Sequence, residues 1–111
     1  MKIGKAEANY LVRNIDRASN KQLASLFKLG CNLCLGTINF VEEENMTPAE
    51  VAEDRGLKIT RLMNDGSVLA VDDATSDIIM IALAKGGPRV INLSELSRDF
   101  DKLAKNNEFS E

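Results

Sequence analysis

Apolar and polar residues recur along this chain with two different periods, and the change falls near its middle. Over residues 5–18 (KAEANYLVRNIDRA), Ala8, Leu11, Ile15 and Ala18 fall at helical spacing. Arg13, Asn14, Asp16 and Arg17 lie elsewhere on the wheel, so the segment reads as an amphipathic helix. Residues 20–35 give a clearer helix. Leu23, Leu26, Phe27, Gly30, Cys31 and Cys34 form its apolar stripe, opposite Lys21, Ser25, Lys28 and Asn32. Ser19 and Gln22 have the spacing of a capping box, and Gly36 is a natural stop. Residues 37–41 fit either a continued helical stripe or a short strand. Residues 42–45 form a polar linker.

The best-punctuated stretch follows. Thr47-Pro48-Ala49-Glu50 has the form of a capping box with proline at the first helical position. It predicts a short helix over 48–55, stopped by a left-handed Gly56. Residues 57–63 then read as a strand, Asn64-Asp65-Gly66 as a hairpin turn, and 67–72 as the returning strand. The first of these strands alternates imperfectly.

A second reading makes 58–64 a helix. The segment 48–64 then resembles a helix-turn-helix of winged-helix or excisionase type. Ala52 would allow close helix approach and Gly56 the tight turn. That resemblance implies groove-facing roles for Lys58, Thr60, Arg61 and Asn64. It covers about fifteen residues, and Arg55 and Asp65 stand where the motif wants apolar side chains. The hairpin reading is favoured.

Beyond the hairpin, residues 72–77 are a turn cluster. The run Ile78-Ile79-Met80-Ile81-Ala82-Leu83-Ala84 has strand length and no polar face, which predicts a central strand buried on both sides. Lys85 to Pro88 is turn chemistry, and 89–91 is a fourth short strand. Asn92-Leu93-Ser94-Glu95 opens a helix over 93–106, with Leu93, Leu96, Phe100 and Leu103 in period, and 106–111 is a tail. The expected fold is therefore α+β in one domain, 1–111. N-terminal helices and the 48–55 helix pack on a small antiparallel meander of three or four strands, and the C-terminal helix covers one sheet face.

Charge adds an asymmetry. The net charge is −3, but residues 1–41 carry six basic and two acidic residues, against eight basic and fifteen acidic from residue 42 onward. The overall acidic balance lacks the basic footprint of phosphate binding, and 5% aromatics give little for base stacking. The basic N-terminal part reads first as an ordinary solvated face; an anionic partner or head-to-tail self-association also suits it. No stretch approaches the roughly 18–20 apolar residues of a membrane span, and no targeting segment is recognised, so a cytoplasmic location is expected.

Candidate chemistry is sparse. The chain has no histidine, which removes the commonest general base and metal ligand. Cys31-x-x-Cys34 has the spacing of redox and zinc sites, yet it sits late in a predicted helix, where the dipole raises a thiol pKa. Two cysteines supply half a zinc site, so Cys31 and Cys34 would bind metal only across a dimer. Asp72, Asp73, Thr75 and Asp77 resemble part of a calcium loop, without its glycine or terminal glutamate. Gly86-Gly87-Pro88 follows a strand as phosphate loops do, but lacks the lysine and the helix. No cofactor is implied. The expected role is a non-enzymatic regulatory or adaptor protein that contacts another protein, itself included, as an oligomer. Phe40, Met46 and Phe109 are candidate interface residues. The DNA-binding regulator is the alternative.

Overall fold

The computed structural model describes residues 5–33, 39–40, 45–83 and 87–105. Its elements are α1 (Lys5–Arg13), a 3₁₀ turn (Ile15–Arg17), α2 (Asn20–Leu33), β1 (Asn39–Phe40), α3 (Pro48–Asp54), β2 (Lys58–Leu62), β3 (Val68–Asp72), β4 (Asp77–Ala82), β5 (Arg89–Asn92) and α4 (Leu93–Lys105). The strands form one antiparallel sheet in the order β1-β5-β4-β3-β2. The expected α+β architecture is what the chain adopts: a meander from β2 to β5, preceded by helices and followed by a helix on the sheet. The ambiguous segment before the linker resolves as β1, which adds a fifth, two-residue strand beside β5.

Local chemistry sets the helix ends. At α3 the Thr47 hydroxyl accepts from the Glu50 N–H at 3.2 Å, and the Glu50 carboxylate accepts from the Thr47 N–H at 2.9 Å. The bond from the Thr47 backbone, and then that from its side chain, holds the Glu50 carboxyl below its ordinary pKa. The other end is a Schellman closure: Leu57 N–H donates to Ala52 O, Gly56 N–H donates to Glu53 O, and Gly56 takes φ +70°. Ser19 and Gln22 exchange the same pair of bonds at the start of α2, at 2.8 and 3.1 Å.

The first helix ends earlier than its apolar period implies. Asn14 turns its side chain back to Tyr10 O, and residues 15–17 tighten to 3₁₀. Ala8, Leu11 and Ala18 are nevertheless buried as the stripe predicts, with Ile15 half-buried beside them.

Two cores flank the sheet. On one face α1, α2 and α4 bring Leu11, Leu23, Leu26 and Leu96 onto Leu69, Met80 and Ile91. On the other face the seven-residue α3 brings Val51 and Ala52 onto Val68, Ala70, Ile79, Ile81 and Val90. Strand β4 lies at the centre and feeds both cores, Ile79 and Ile81 one way and Met80 and Ala82 the other. That double burial is what its unbroken apolar run predicts. Alternation does not say which helices share a face, and the lone position of α3 emerges only in three dimensions.

Polar contacts pin the ends of β4. Ile78 N–H donates to the Ser94 hydroxyl, and Leu83 N–H to that of the buried Ser67. Asn92 caps α4 by accepting from Glu95 N–H at 2.8 Å, and its side-chain amide donates to the Asp77 carboxylate at 2.9 Å. Arg98 reaches the same carboxylate with two nitrogens, each at 3.3 Å. Arg98 first, and Asn92 after it, hold the Asp77 pKa below its ordinary value of 3.8.

These contacts lead to two testable expectations. Because the folded pKa of Asp77 lies below the unfolded one, its contribution to stability is complete above pH 3.8 and is lost as pH falls through the folded value. Acid unfolding of Asp77→Asn should therefore be flatter than wild type below that pH, and parallel profiles would contradict the assignment. The β3–β4 turn holds Ser76 at φ +63°, with its N–H on Asp72 O at 2.7 Å. Ser76→Gly relieves a left-handed side chain and should raise stability by up to about 1 kcal/mol, after the extra entropy of glycine in the unfolded chain. The readout is a higher urea midpoint at unchanged slope.

Candidate functional site at strand β2

The second alternative for residues 57–64 does not form. Lys58–Leu62 is a strand paired with β3, so the recognition helix that a helix-turn-helix requires is not formed. The imperfect alternation of this strand has a structural cause. The register runs Lys58↔Val71 and Ile59↔Ala70, then resumes at Arg61↔Leu69 and Leu62↔Val68. Thr60 is the extra residue of a β-bulge.

That one residue re-sorts the strand. Without it Arg61 would share the face of Ile59, and Leu62 would turn toward the three-helix core. With it, Ile59 and Leu62 lie on the α3 side, level with Ala70 and Val68. Arg61 and Met63 turn to the other side, where Met63 joins the core.

Arg61 is therefore turned toward the α1–α2 connection. Its guanidinium donates to three backbone carbonyls of the α1–α2 connection: Ala18 O at 2.6 Å, Asp16 O at 3.1 Å and Ile15 O at 3.2 Å. These carbonyls sit where the first helical segment gives out, and a planar cationic fork suits such a cluster. The three remaining residues of the groove-facing set, Lys58, Thr60 and Asn64, are exposed on β2 and its hairpin. The Thr60 hydroxyl also meets Leu69 O at 3.4 Å.

The α3 side of this region is apolar and open. Leu62 is 68% exposed, Leu83 56% and Ile59 40%. Leu83 is the next position after Ile79 and Ile81 in the β4 alternation. The row beneath these residues, Val68 and Ile81, is fully buried under α3. So α3 packs on this face beside β2 but leaves Leu62, Leu83 and Ile59 exposed. One sheet edge carries β1, and nothing among the described residues pairs with the outer side of β2.

The other sequence candidates lie away from β2 or outside the described residues. Cys31 is a half-buried free thiol on α2, and Cys34 lies outside the described residues. Met46, half-buried, packs against the α3 core, while the side chains of Phe40 and Phe109 lie outside the described set. Asp72 turns its carboxylate onto Ala74 N–H, and Asp77 is engaged by Asn92 and Arg98, so the acidic turn is built from its own contacts. Gly87, at φ +120°, and the buried Pro88 lead into a strand rather than a helix N-terminus. A shallow cavity of about 300 Å³ opens between α2 and the β2–β3 hairpin, floored by Met63 and Met80 and rimmed by Asn20, Lys21, Asn64 and Asp65. Among the described residues no helix is long and apolar enough to cross a membrane.

The Arg61 clasp makes a measurable prediction. Arg61→Met keeps the apolar stem and removes the donors, and should lower stability by about 2 kcal/mol. Amide exchange at residues 15–18 should rise more than elsewhere. Arg61→Lys should recover only part of the loss, because an ammonium cannot match the fork. A wild-type midpoint for Arg61→Met would make the clasp irrelevant to stability. Compared with known protein families, curated proteins and solved structures, the chain matches none.

Proposed function

We propose that this protein is a small non-enzymatic regulatory or adaptor protein that works by protein–protein contact, through the open β2 end of the face that α3 partly covers. The observation that carries this reading is the exposure of Leu62, Leu83 and Ile59 together, beside an unpaired strand edge. Scattered apolar residues on a surface are ordinary, but adjacent ones rimmed by polar side chains mark contact surfaces. Ile59 and Leu62 share one face of β2, and the exposed Asn64 follows in the hairpin. An unpaired edge adds backbone donors and acceptors, so a partner strand gains affinity from the main chain and specificity from side chains.

The DNA-binding alternative draws less support. Its second helix is a strand, and its central cation, Arg61, is engaged with backbone carbonyls. The three other residues remain accessible, but no described element projects them as a groove-filling helix would.

The test is in-cell cross-linking of wild type beside Leu62→Glu/Leu83→Glu, both first shown to be folded by circular dichroism. A protein, a second copy included, should be recovered with wild type and depleted at least about tenfold with the variant, then rebind when purified. Identical recovery profiles for the two chains would overturn the reading.

A further inference from the structure

Strand β2 has an irregular outer edge, and the irregularity decides what can pair with it. Met63 N–H donates to Ser67 O at 2.8 Å, and Met63 O accepts from Gly66 N–H at 3.0 Å, so the backbone of Met63 faces β3. Alternation then turns the N–H and C=O of Leu62 outward and those of Arg61 inward. The bulge at Thr60 intervenes, and the next outward-facing residue is Ile59. Outward residues are thus three apart, at 59 and 62, where a regular strand presents them two apart. A regular strand laid on this edge meets one of them in register and misses the other.

An antiparallel copy of the same strand has the same spacing. We infer that β2 pairs with β2 of a second copy of this chain about a two-fold axis normal to the sheet, with Ile59 opposite Leu62 of the second copy and the reverse. This rests on the contact-surface reading above and names the occupant of that surface. Both residues of each pair present their backbone outward, so each pair exchanges two N–H···O=C bonds.

The side chains agree with the backbone. Ile59 and Leu62 lie on the same sheet face, and a two-fold axis normal to the sheet keeps that face on one side. The four exposed side chains therefore meet as two cross-strand apolar pairs, the unit by which sheets are stabilised. The register also places Lys58 opposite Met63 of the second copy. A five-residue seam is about 17 Å long, at the small end of specific interfaces, so the dimer should be reversible and concentration-dependent.

Native mass spectrometry and sedimentation over a concentration series test this on the full chain. Wild type should shift from 12.2 kDa to twice that mass as concentration rises. Ile59→Lys/Leu62→Lys should stay monomeric with unchanged circular dichroism. Register is read by oxidation. A mixture of Ile59→Cys and Leu62→Cys chains should form a covalent heterodimer well beyond what wild type or either variant gives alone, which also controls for Cys31 and Cys34. Wild type that remains monomeric throughout overturns the inference. So does a dimer that survives Ile59→Lys/Leu62→Lys, or one whose mixed cysteines do not cross-link selectively. A monomeric wild type that still captures a different protein through Leu62 and Leu83 leaves the contact-surface reading standing and removes self-pairing alone.

Discussion

Much of this structure hangs on the extra residue in strand β2. A strand without the bulge would point its only arginine toward α3 and its leucine into the three-helix core. Inserting Thr60 reverses both. The guanidinium is thereby aimed at Ile15, Asp16 and Ala18, the carbonyls left over where α1 stops and α2 has not begun. The Asp16 and Ala18 carbonyls would otherwise need water, since the 3₁₀ turn bonds internally from Arg17 to Asn14 and from Ala18 to Ile15, whose carbonyl thus accepts from both Ala18 and Arg61. The clasp joins the edge of the sheet to the helix layer across more than forty residues of sequence. It holds the helical corner over Met63 without adding a large apolar side chain.

The same insertion creates the open surface. Once Arg61 is turned inward, Ile59 and Leu62 share the opposite face, where a seven-residue helix covers Val68, Ala70, Ile79, Ile81 and Val90. A longer α3 would cover more of this end. Its length is set by chemistry at both ends, the Thr47–Glu50 box and the Gly56 closure, which leave no room for another turn before β2 begins. The exposed apolar end is thus a consequence of well-formed local signals, not of a defect in them.

Those signals explain what the sequence reveals and what it hides. Caps depend on side chains three residues apart, so Ser19 with Gln22, Thr47 with Glu50, and Asn92 with Glu95 can be read without the fold. The double burial of β4 is equally visible, because both faces of Ile79-Met80-Ile81-Ala82 are apolar. The role of Arg61 is not visible, because its partners are backbone carbonyls more than forty residues away, and any residue type could have supplied them. The bulge leaves only a broken alternation, which a helical reading of 58–64 explains as readily. Deciding between them requires β3, whose register fixes where the extra residue lies. The open end at Leu62 and Leu83 is hidden for a related reason: the apolar period says which residues share a face, not how far the covering helix extends.

The charge asymmetry of the chain becomes an asymmetry of the two sheet faces. Exposed Arg13, Arg17, Lys21 and Lys28 outnumber exposed Glu7 and Asp16 on the α1–α2 layer, and exposed Glu50, Glu53 and Asp54 outnumber Arg55 at α3 on the far side. Two ways of self-association then differ in kind. Stacking the basic layer of one copy on the acidic helix of the next is head-to-tail, and it closes only if the rotation happens to make a ring. Pairing at β2 is isologous and closes at two copies, since a two-fold contact uses the same strand edge of both. It also keeps like faces on like sides, giving a plate with a basic surface and an acidic one. Salt separates the two arrangements: it weakens charge-driven stacking of exposed faces, while a seam of backbone bonds and apolar pairs is much less sensitive.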